Sequence, residues 1–282
     1  MAVIPTIEYE TKLQERLSAP MVWKEVCLVK YTDSGIWRNP YLTDATVGTG
    51  TRGTGYTPYA VATTDDTVSI TDYVYSAPVI DDADLAQKTF SDFMEIAENV
   101  ATMLNEKMET AMLAEHAQWT NFDNASIGGA AGNITVAVTN IKSIITGIKR
   151  EIREAGGGEM MNRNGAFIIW READFELVEQ LASSEGFNTA DDALKNGIKQ
   201  GFKYMGVEHY SSSKHASGHV FAGVKKAFAV GICKSTYGRV KEIMNPVVSG
   251  AQISGVGLES RIDSKFKAWT KMVPVLFDVL VS

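Results

Sequence analysis

Three glycines near the amino end, Gly48, Gly50 and Gly53, have the G-x-G-x-x-G spacing by which many dinucleotide-binding folds approach a pyrophosphate. This chemistry requires a hydrophobic strand before the glycines and a helix after them, because the pyrophosphate lies against the amides of the helix N-terminus. Here the preceding residues are polar, and Pro58 with several β-branched residues follows, so an immediate helix is disfavoured. We interpret these glycines, together with Gly55, as a flexible hairpin loop, and we predict no cofactor.

Three histidines, His209, His215 and His219, lie in the serine-rich segment EHYSSSKHASGH and offer imidazoles to a metal. Zinc sites need further ligands at fixed spacing, and this segment does not supply them. We therefore predict a solvent-exposed loop and no metal site. Glu115 and His116 lie in a helical pattern without a second histidine four residues away, so we predict a charged helix face there rather than a metalloprotease motif.

Catalytic nucleophiles and paired acids lack a supporting motif. The sequence contains no G-x-S-x-G, and the serines at 183–184 and 211–213 suit turns or helix caps. Adjacent aspartates stand in apparent turns, as Asp65-Asp66, Asp81-Asp82 and Asp191-Asp192. We predict no catalytic residues and no enzymatic function.

Composition narrows the class of protein. A chain of 282 residues with 45% hydrophobic content can bury the core of one large domain or of two connected ones. The formal charge of -7, from 34 acidic and 27 basic residues, disfavours direct nucleic-acid readout. Cys27 and Cys233 lie far apart in apolar stretches, which suits reduced thiols. No signal peptide and no apolar window of about 18 residues is found, so we expect no membrane partner.

The amino-terminal part of the chain is poor in apolar residues. Residues 1–20 are polar, and the short helix predicted from Thr11 to Leu17 must dock on something to be ordered. From about Thr32 to Ile80 the composition suits loops and strands, and TVSITDYVY at 67–75 predicts a strand. We infer a long β-hairpin that cannot form its own core, and that is either disordered or lies on another surface.

Helical and α/β patterns follow. Apolar residues recur at intervals of three and four and predict a long helix from Asp84 to Ala117, which the glycine-rich segment 126–133 ends. The remaining pattern predicts a helix from Ala137 to Ala155, a buried strand at 166–170 and a helix from Glu172 to Leu181. Strands are predicted in FKYMGVEHY, VFAGVKKAFAVGI, YGRVKEIM, ISGVGLESRI and AWTKMVPVLFDVLV.

This order of elements resembles the major capsid proteins of tailed bacteriophages, which have the Hong Kong 97-type fold. The resemblance covers nearly the whole chain, and AFIIWREADFELVEQLAS and FKYMGVEHYSSS, with the glycine-punctuated strand at 218–231, are similar to elements of that family. It implies an α+β fold with an N-terminal arm, an extended β-hairpin loop, a peripheral domain with a long spine helix, and a mixed α/β axial domain. The implied boundaries are 1–30 for the arm, 31–83 for the extended loop, 84–134 with 233–266 for the peripheral domain, and 135–232 with 267–282 for the axial domain.

The resemblance also implies a function. A protein of this family self-assembles into the hexamers and pentamers of an icosahedral head that encloses double-stranded DNA, and it is located in the virion after assembly in the bacterial cytoplasm. The hairpin would gain stability on a neighbouring subunit through strand pairing and aromatic burial. The candidate inter-subunit contacts are Trp37, Tyr41, Tyr56, Tyr59, Val68, Ile70, Tyr73 and Tyr75, with Val68 and Ile70 on one strand face and Tyr73 and Tyr75 on the other.

Other copies of the chain, a portal, a separate scaffolding protein and decoration proteins are the implied partners. An acidic wall would confine packaged DNA without gripping it. Because the chain has no lysine between Lys30 and Lys88, we predict no isopeptide cross-links from the extended loop. Three alternatives remain, namely an encapsulin nanocompartment of the same fold, a tail or head-completion protein that forms rings or tubes, and an NAD-dependent enzyme.

Overall fold

The computed structural model of this chain describes residues 6–42, 63–82, 90–184, 202–248 and 250–282, together with the single residues 49, 52 and 55. Two six-stranded sheets hold most of the described strands. The first sheet contains β1 (Leu28–Thr32), β4 (Asp72–Ser76), β5 (Val79–Asp81), β11 (Phe228–Cys233), β12 (Val240–Met244) and β15 (Gly255–Ala268). The second sheet has the order β6 (Thr120–Phe122), β16 (Leu276–Leu280), β10 (His219–Val224), β7 (Ala166–Trp170), β9 (Val207–Ser211) and β8 (Phe202–Tyr204).

Two small hairpins and several helices complete the described fold, which confirms the predicted α+β class. The hairpins pair β2 (Ile36–Leu42) with β3 (Thr63–Ser69) and β13 (Val247–Val248) with β14 (Ala251–Gln252). The helices are α1 (Thr6–Leu17), α2 (Val22–Val26), α3 (Phe90–Leu113), α4 (Ile141–Glu154), α5 (Gly158–Asn164) and α6 (Glu172–Ser184). Short 3-10 helices span Ala114–Gln118, Asn124–Ile127 and Val273–Val275. No helix within the described ranges is long and apolar enough to cross a membrane.

The second sheet is covered on both faces. All five residues of β7 are buried, which explains why AFIIW is a continuous apolar run and not an alternating one. The buried face of α4 is formed by isoleucines at 141, 144, 145, 148 and 152. This helix begins later than the predicted Ala137, because the Asn140 side chain accepts a hydrogen bond from the Ala137 amide at 2.9 Å and holds the preceding residues in a turn.

The long helix α3 lies beneath the first sheet. It spans 24 described residues, or roughly 36 Å at 1.5 Å per residue, and it buries Leu104 and Met108 on its apolar stripe. The prediction extended this helix to Ala117, but the last turn tightens into the 3-10 helix Ala114–Gln118, where Glu115 leaves the helical region at φ -85° and ψ 22°. Residues 83–89, where the helix was predicted to begin, lie outside the described residues.

The amino-terminal helix α1 docks on its own chain. Tyr9, Leu13 and Leu17 recur every four residues and are all fully buried. Across the helix pair, the carboxylate of Glu98 accepts ion pairs from Lys12 at 3.2 Å and Arg16 at 2.8 Å. The helix begins at Thr6, five residues before the predicted start at Thr11, because these intrachain contacts order its first turns as well.

The segment VFAGVKKAFAVGI contains two strands that belong to different sheets. β10 lies in the second sheet and β11 in the first, and Lys226 between them has a positive φ of 64°. The predicted domain boundaries at 232/233 and 266/267 therefore fall inside β11 and β15. The chain instead passes between the sheets at residues 225–227 and 269–275. The two sheets share one core, in which Trp119 stacks on Phe221 of β10 at 3.6 Å and meets Phe228 of β11 edge-on at 5.7 Å.

Candidate functional site

The predicted hairpin exists, and its base is attached to the chain's own first sheet. β2 and β3 pair in register from Ile36 with Ser69 to Leu42 with Thr63. Trp37 packs edge-on against Trp269, with ring centroids 4.8 Å apart, and Val68 is only 1% exposed. In this conformation the Val68 side chain already belongs to an intrachain cluster with Ala229 and Trp269, and its contact with a neighbouring copy stays a prediction.

A buried carboxylate also holds this base in place. Asp66 was predicted to lie in a turn, but it lies in β3 and is 6% exposed. Its oxygens accept hydrogen bonds from Lys267 Nζ at 2.5 Å and from the amide and hydroxyl of Thr270 at 2.8 and 3.0 Å. Burial alone would raise the pKa of Asp66, but these donors hold it below its usual value. These hydrogen bonds thus fix the described base of the hairpin to the chain's own first sheet.

Ile70 and Trp37 are partly covered in the same way. Ile70 packs over Gly231 of β11, where an added Cβ would lie 3.5 Å from Ile70 Cγ1, an ordinary van der Waals distance. Two of the predicted contact residues, Trp37 and Ile70, are therefore half-buried within the chain. Their remaining exposed area is small compared with that of the tyrosines that follow.

Tyr73 and Tyr75 form the most exposed aromatic group on the described surface. They lie on β4 and are 53% and 63% exposed, with ring centroids 5.8 Å apart. The guanidinium of Arg261 lies 4.1 Å from the centre of the Tyr73 ring. We call Tyr73, Tyr75 and Arg261 the tyrosine patch. It faces outward because β4 pairs with β15, whose even-numbered residues from Leu258 to Ala268 point inward.

A second exposed apolar group lies at the end of β12 and on the hairpin that follows it. Met244, Val247 and Val248 are 64%, 69% and 38% exposed. We call them the valine patch. Met244 is the last residue of β12, and the two valines form β13 of the small β13–β14 hairpin. This hairpin turns at Gly250 with φ 84°. Sequence reasoning missed this patch, although the signal was present in MNPVVSGAQ, where two β-branched residues stand between proline and glycine turn signals.

Most of the predicted residues at the hairpin tip remain predictions. The following lie outside the described residues: Gly48, Gly50, Gly53, Tyr56 and Tyr59. Of Tyr41 only the backbone, in β2, is described. Gly55 is exposed, and no atom of the described chain lies within 4 Å of the position that a Cβ would take there.

The prediction of an exposed loop is wrong for His209, whereas His215 does lie in the irregular stretch 212–218, where it is half-buried. His209 is fully buried in β9, where its Nδ1 accepts a hydrogen bond from Trp170 Nε1 at 2.9 Å and its Nε2 lies 3.2 Å from the carbonyl of Tyr204. Burial lowers the pKa of His209 to about 4, and burial likewise lowers the pKa of His215 to about 4. Both histidines are therefore neutral at pH 7, His209 in the packed interior and His215 in a half-buried position.

The structure brings together a different set of possible metal ligands. The ligand atoms of His116, His219 and Asp278 all lie within 4.8 Å of one another. Only His219 belongs to both this set and the predicted group of His209, His215 and His219. The prediction of a charged helix face at Glu115 and His116 is also incomplete, since His116 stacks on His219 with ring centroids 3.8 Å apart.

No family model and no curated protein matches this sequence. Solved structures do match its fold. The capsid of Ralstonia phage GP4 has a TM-score of 0.60 at 8% identity and covers 91% of this chain and 87% of its own. The capsid of the cyanophage P-SCSP1u has a TM-score of 0.52 at 13% identity, with 93% and 88% covered. A virus-like particle from Pyrococcus furiosus has a TM-score of 0.58 at 9% identity, with 97% and 98% covered.

These similarities define the class of fold. At such identities they concern the fold alone, and they extend over more than nine tenths of this chain in each case. The chain has the α+β architecture of phage capsid proteins, the Hong Kong 97-type fold that the order of its elements predicted.

Proposed function

We propose that this chain is the major structural protein of a phage head, and that its copies assemble into the hexamers and pentamers of an icosahedral shell that encloses double-stranded DNA. The observation that carries the proposal is the capsid fold, which extends over nearly the whole chain. The proposed location is the virion, after assembly in the cytoplasm of a bacterial host.

The surface of the first sheet supports self-association. Two exposed apolar groups lie on it and beside it: the tyrosine patch on β4 and β15, and the valine patch at the end of β12 and on the β13–β14 hairpin. A subunit with several neighbours needs more than one such contact surface. Tyrosine and arginine are enriched where protein interfaces bury surface, because they combine a large apolar area with hydrogen-bonding groups. Each contact can be weak when a closed shell adds many of them together.

The hairpin is proposed to cross onto a neighbouring copy. Its described base is held on its own subunit by Trp37, Val68 and Asp66. The distal residues Tyr56 and Tyr59 remain proposed inter-subunit contacts. No lysine is available between Lys30 and Lys88, and we therefore expect that mature shells release single chains on boiling in denaturant.

The proposed cargo and partners rest on the charge of the chain and on its resemblance to phage capsid proteins. The acidic balance of the chain is proposed to confine packaged DNA with few phosphate contacts, and a portal, a scaffolding protein and decoration proteins are the proposed companions. A shell protein of this kind needs no cofactor.

Electron microscopy of the expressed chain, with size-exclusion chromatography and light scattering, tests the proposal. We expect closed polyhedral particles of one size class, or hexamers and pentamers that close into shells when scaffolding protein is added. A chain that stays monomeric under all of these conditions, or that forms only rings or tubes, would contradict the proposal.

An encapsulin-type compartment is the second candidate. The match to the virus-like particle from Pyrococcus furiosus, with 97% of this chain covered, favours keeping it. The two candidates differ in what the shell contains. Particles purified from the natural source should hold nuclease-protected double-stranded DNA if the chain builds a phage head, and a folded protein cargo if it builds a compartment.

A further inference from the structure

Three side chains from distant parts of the sequence converge at the junction between the long helix and the second sheet. His116 lies in the 3-10 helix Ala114–Gln118 that follows α3, His219 is the first residue of β10, and Asp278 lies in the middle of β16. His219 Nδ1 is 2.8 Å from Asp278 Oδ2, and His116 Nδ1 is 3.8 Å from the same oxygen. The two imidazole rings are stacked, with an interplanar angle of 23°.

We infer that these three residues form a binding site for one divalent transition-metal ion of the zinc class. Zinc binds imidazole nitrogen and carboxylate oxygen at about 2.0–2.2 Å, which separates neighbouring ligand atoms of a tetrahedral site by roughly 3.3–3.6 Å. The measured separations of 2.8 and 3.8 Å lie on either side of that range. To admit the ion, the hydrogen bond between His219 and Asp278 has to be replaced and the two stacked imidazole rings have to swing apart. Two nitrogens and one oxygen suit zinc, cobalt or nickel better than magnesium or calcium, which prefer oxygen ligands.

The second observation concerns the carboxylate. Asp278 is 2% exposed, and its Oδ1 is buried without a hydrogen-bond partner among the described residues. An unpaired carboxylate oxygen in the interior is costly, because the lost hydration is not replaced. Its other oxygen faces the two imidazoles. A divalent cation bound at Oδ2 would balance the negative charge of this carboxylate, and it would satisfy Oδ1 as well if both oxygens bound it.

Packed elements fix the positions of the ligands before any ion binds. Asp278 pairs with Phe221 in the β10–β16 ladder, and His219 stands two residues before Phe221 on the same strand face. The segment that carries His116 is attached by Trp119, which stacks on the same Phe221 at 3.6 Å. The side chains of His116 and His219 are 30% and 26% exposed, which leaves a solvent-facing side where water can complete the coordination.

The position of the site gives the ion a structural role. His116 belongs to the end of the helix that packs beneath the first sheet, whereas His219 and Asp278 belong to the second sheet. A bound ion would tie the end of α3 to the second sheet and would resist movement of one relative to the other. This inference does not depend on the proposed function, since it concerns a single folded chain.

Zinc binding by the purified full chain tests the inference. After removal of metal with a chelator, titration with zinc alone in a calorimeter should give one ion per chain, and zinc should raise the Tm of the chain. Cobalt in place of zinc should give the visible absorption bands of a tetrahedral site. The variants His116→Gln and Asp278→Asn should each weaken zinc binding at least tenfold and lose the rise in Tm.

The controls distinguish this site from other ligands. His116→Gln changes a partly exposed side chain and should stay folded by circular dichroism, so it remains informative if Asp278→Asn does not fold. Cys233→Ser removes a partly exposed thiol outside the cluster and should bind zinc as the original chain does. Absence of zinc binding by the folded chain, or equal binding by His116→Gln and the original chain, would overturn the inference.

Discussion

The two sheets of this molecule are covered to different extents. In the second sheet, β7 is buried at all five positions, so both of its faces are packed within the chain. In the first sheet, β15 alternates between buried residues such as Ile262 and outward-facing residues such as Arg261, and the neighbouring β4 leaves two tyrosines exposed. The second sheet is therefore stabilised by its own chain, whereas the first sheet has a face to offer to other molecules.

The largest expected change in stability tests whether the second sheet is stabilised by its own chain. Phe221 is fully buried, stacks on Trp119 and meets Phe167 edge-on at 5.0 Å. Phe221→Ala should lower the free energy of unfolding by about 3–5 kcal/mol, because it leaves a cavity in a packed core. Denaturant unfolding of the unassembled chain measures this. Lys203→Ala, at an exposed position of β8, serves as the control. A similar loss of unfolding free energy in both variants would contradict the view that the second sheet is stabilised by its packed core.

The next effect is a sensitivity to acid in the same sheet. Because burial lowers the pKa of His209 to about 4, against about 6.5 in the unfolded chain, the unfolded state binds more protons between these values. Stability should be complete above pH 6.5 and fall on the order of 3 kcal/mol as the pH drops to 4. Thermal unfolding across this range measures the loss.

A matched variant isolates the contribution of His209. His209→Gln keeps a hydrogen-bonding side chain but cannot titrate, so its stability should depend less on pH between 6.5 and 4. If the original chain and His209→Gln lose stability in parallel over this range, burial of the neutral imidazole is not the cause.

A smaller effect concerns the hairpin base on the first sheet. Asp66→Asn removes the charge that Lys267 and Thr270 pair with, and should cost about 1–3 kcal/mol locally. Because the hairpin is attached at few points, we expect faster proteolytic cleavage within 36–69 with little change in the global Tm. The exposed neighbour Asp65→Asn should be cleaved at the original rate. If both variants are cleaved at the same rate, Asp66 does not hold the base of the hairpin in place.

The smallest change in the stability of the unassembled chain is expected at the tyrosine patch. The double variant Tyr73→Thr with Tyr75→Thr keeps residues suited to a strand, and should change the stability of the unassembled chain by no more than about 0.5 kcal/mol per position. Assembly should nevertheless decrease strongly, as measured by the yield of closed particles in electron microscopy. The control is Met103→Gln, which changes an apolar residue of α3 that is 54% exposed. This variant should assemble normally. Normal shells from the tyrosine variant would remove this patch from the interface.

Elements with a regular apolar period were predictable from the sequence. The isoleucines of α4, the apolar stripe of α3 and the continuous run of β7 each lie where their spacing indicated, because side-chain direction repeats with the backbone geometry. Element ends were less predictable. The start of α4 depends on one hydrogen bond that the Ala137 amide donates to the Asn140 side chain, and the end of α3 depends on a local tightening at Glu115.

The buried polar residues were the main failure of sequence reasoning. His209 and Asp66 stand in polar segments that suggested loops, yet both are buried because distant donors and acceptors satisfy them. The carboxylate of Asp66 is paired with residues about 200 positions away in the sequence, and His219 meets Asp278 across 59 positions. Local composition carries no signal for such pairs.

The sequence by itself determined the class of fold, the acidic balance and the existence of a hairpin too polar to form its own core. Tertiary structure alone decided that the base of this hairpin is attached to its own first sheet, that Tyr73 and Tyr75 face solvent, and that His116, His219 and Asp278 meet. The physical reason is that periodicity and composition are properties of neighbouring residues along the chain, whereas burial and the pairing of polar groups depend on which strands lie side by side.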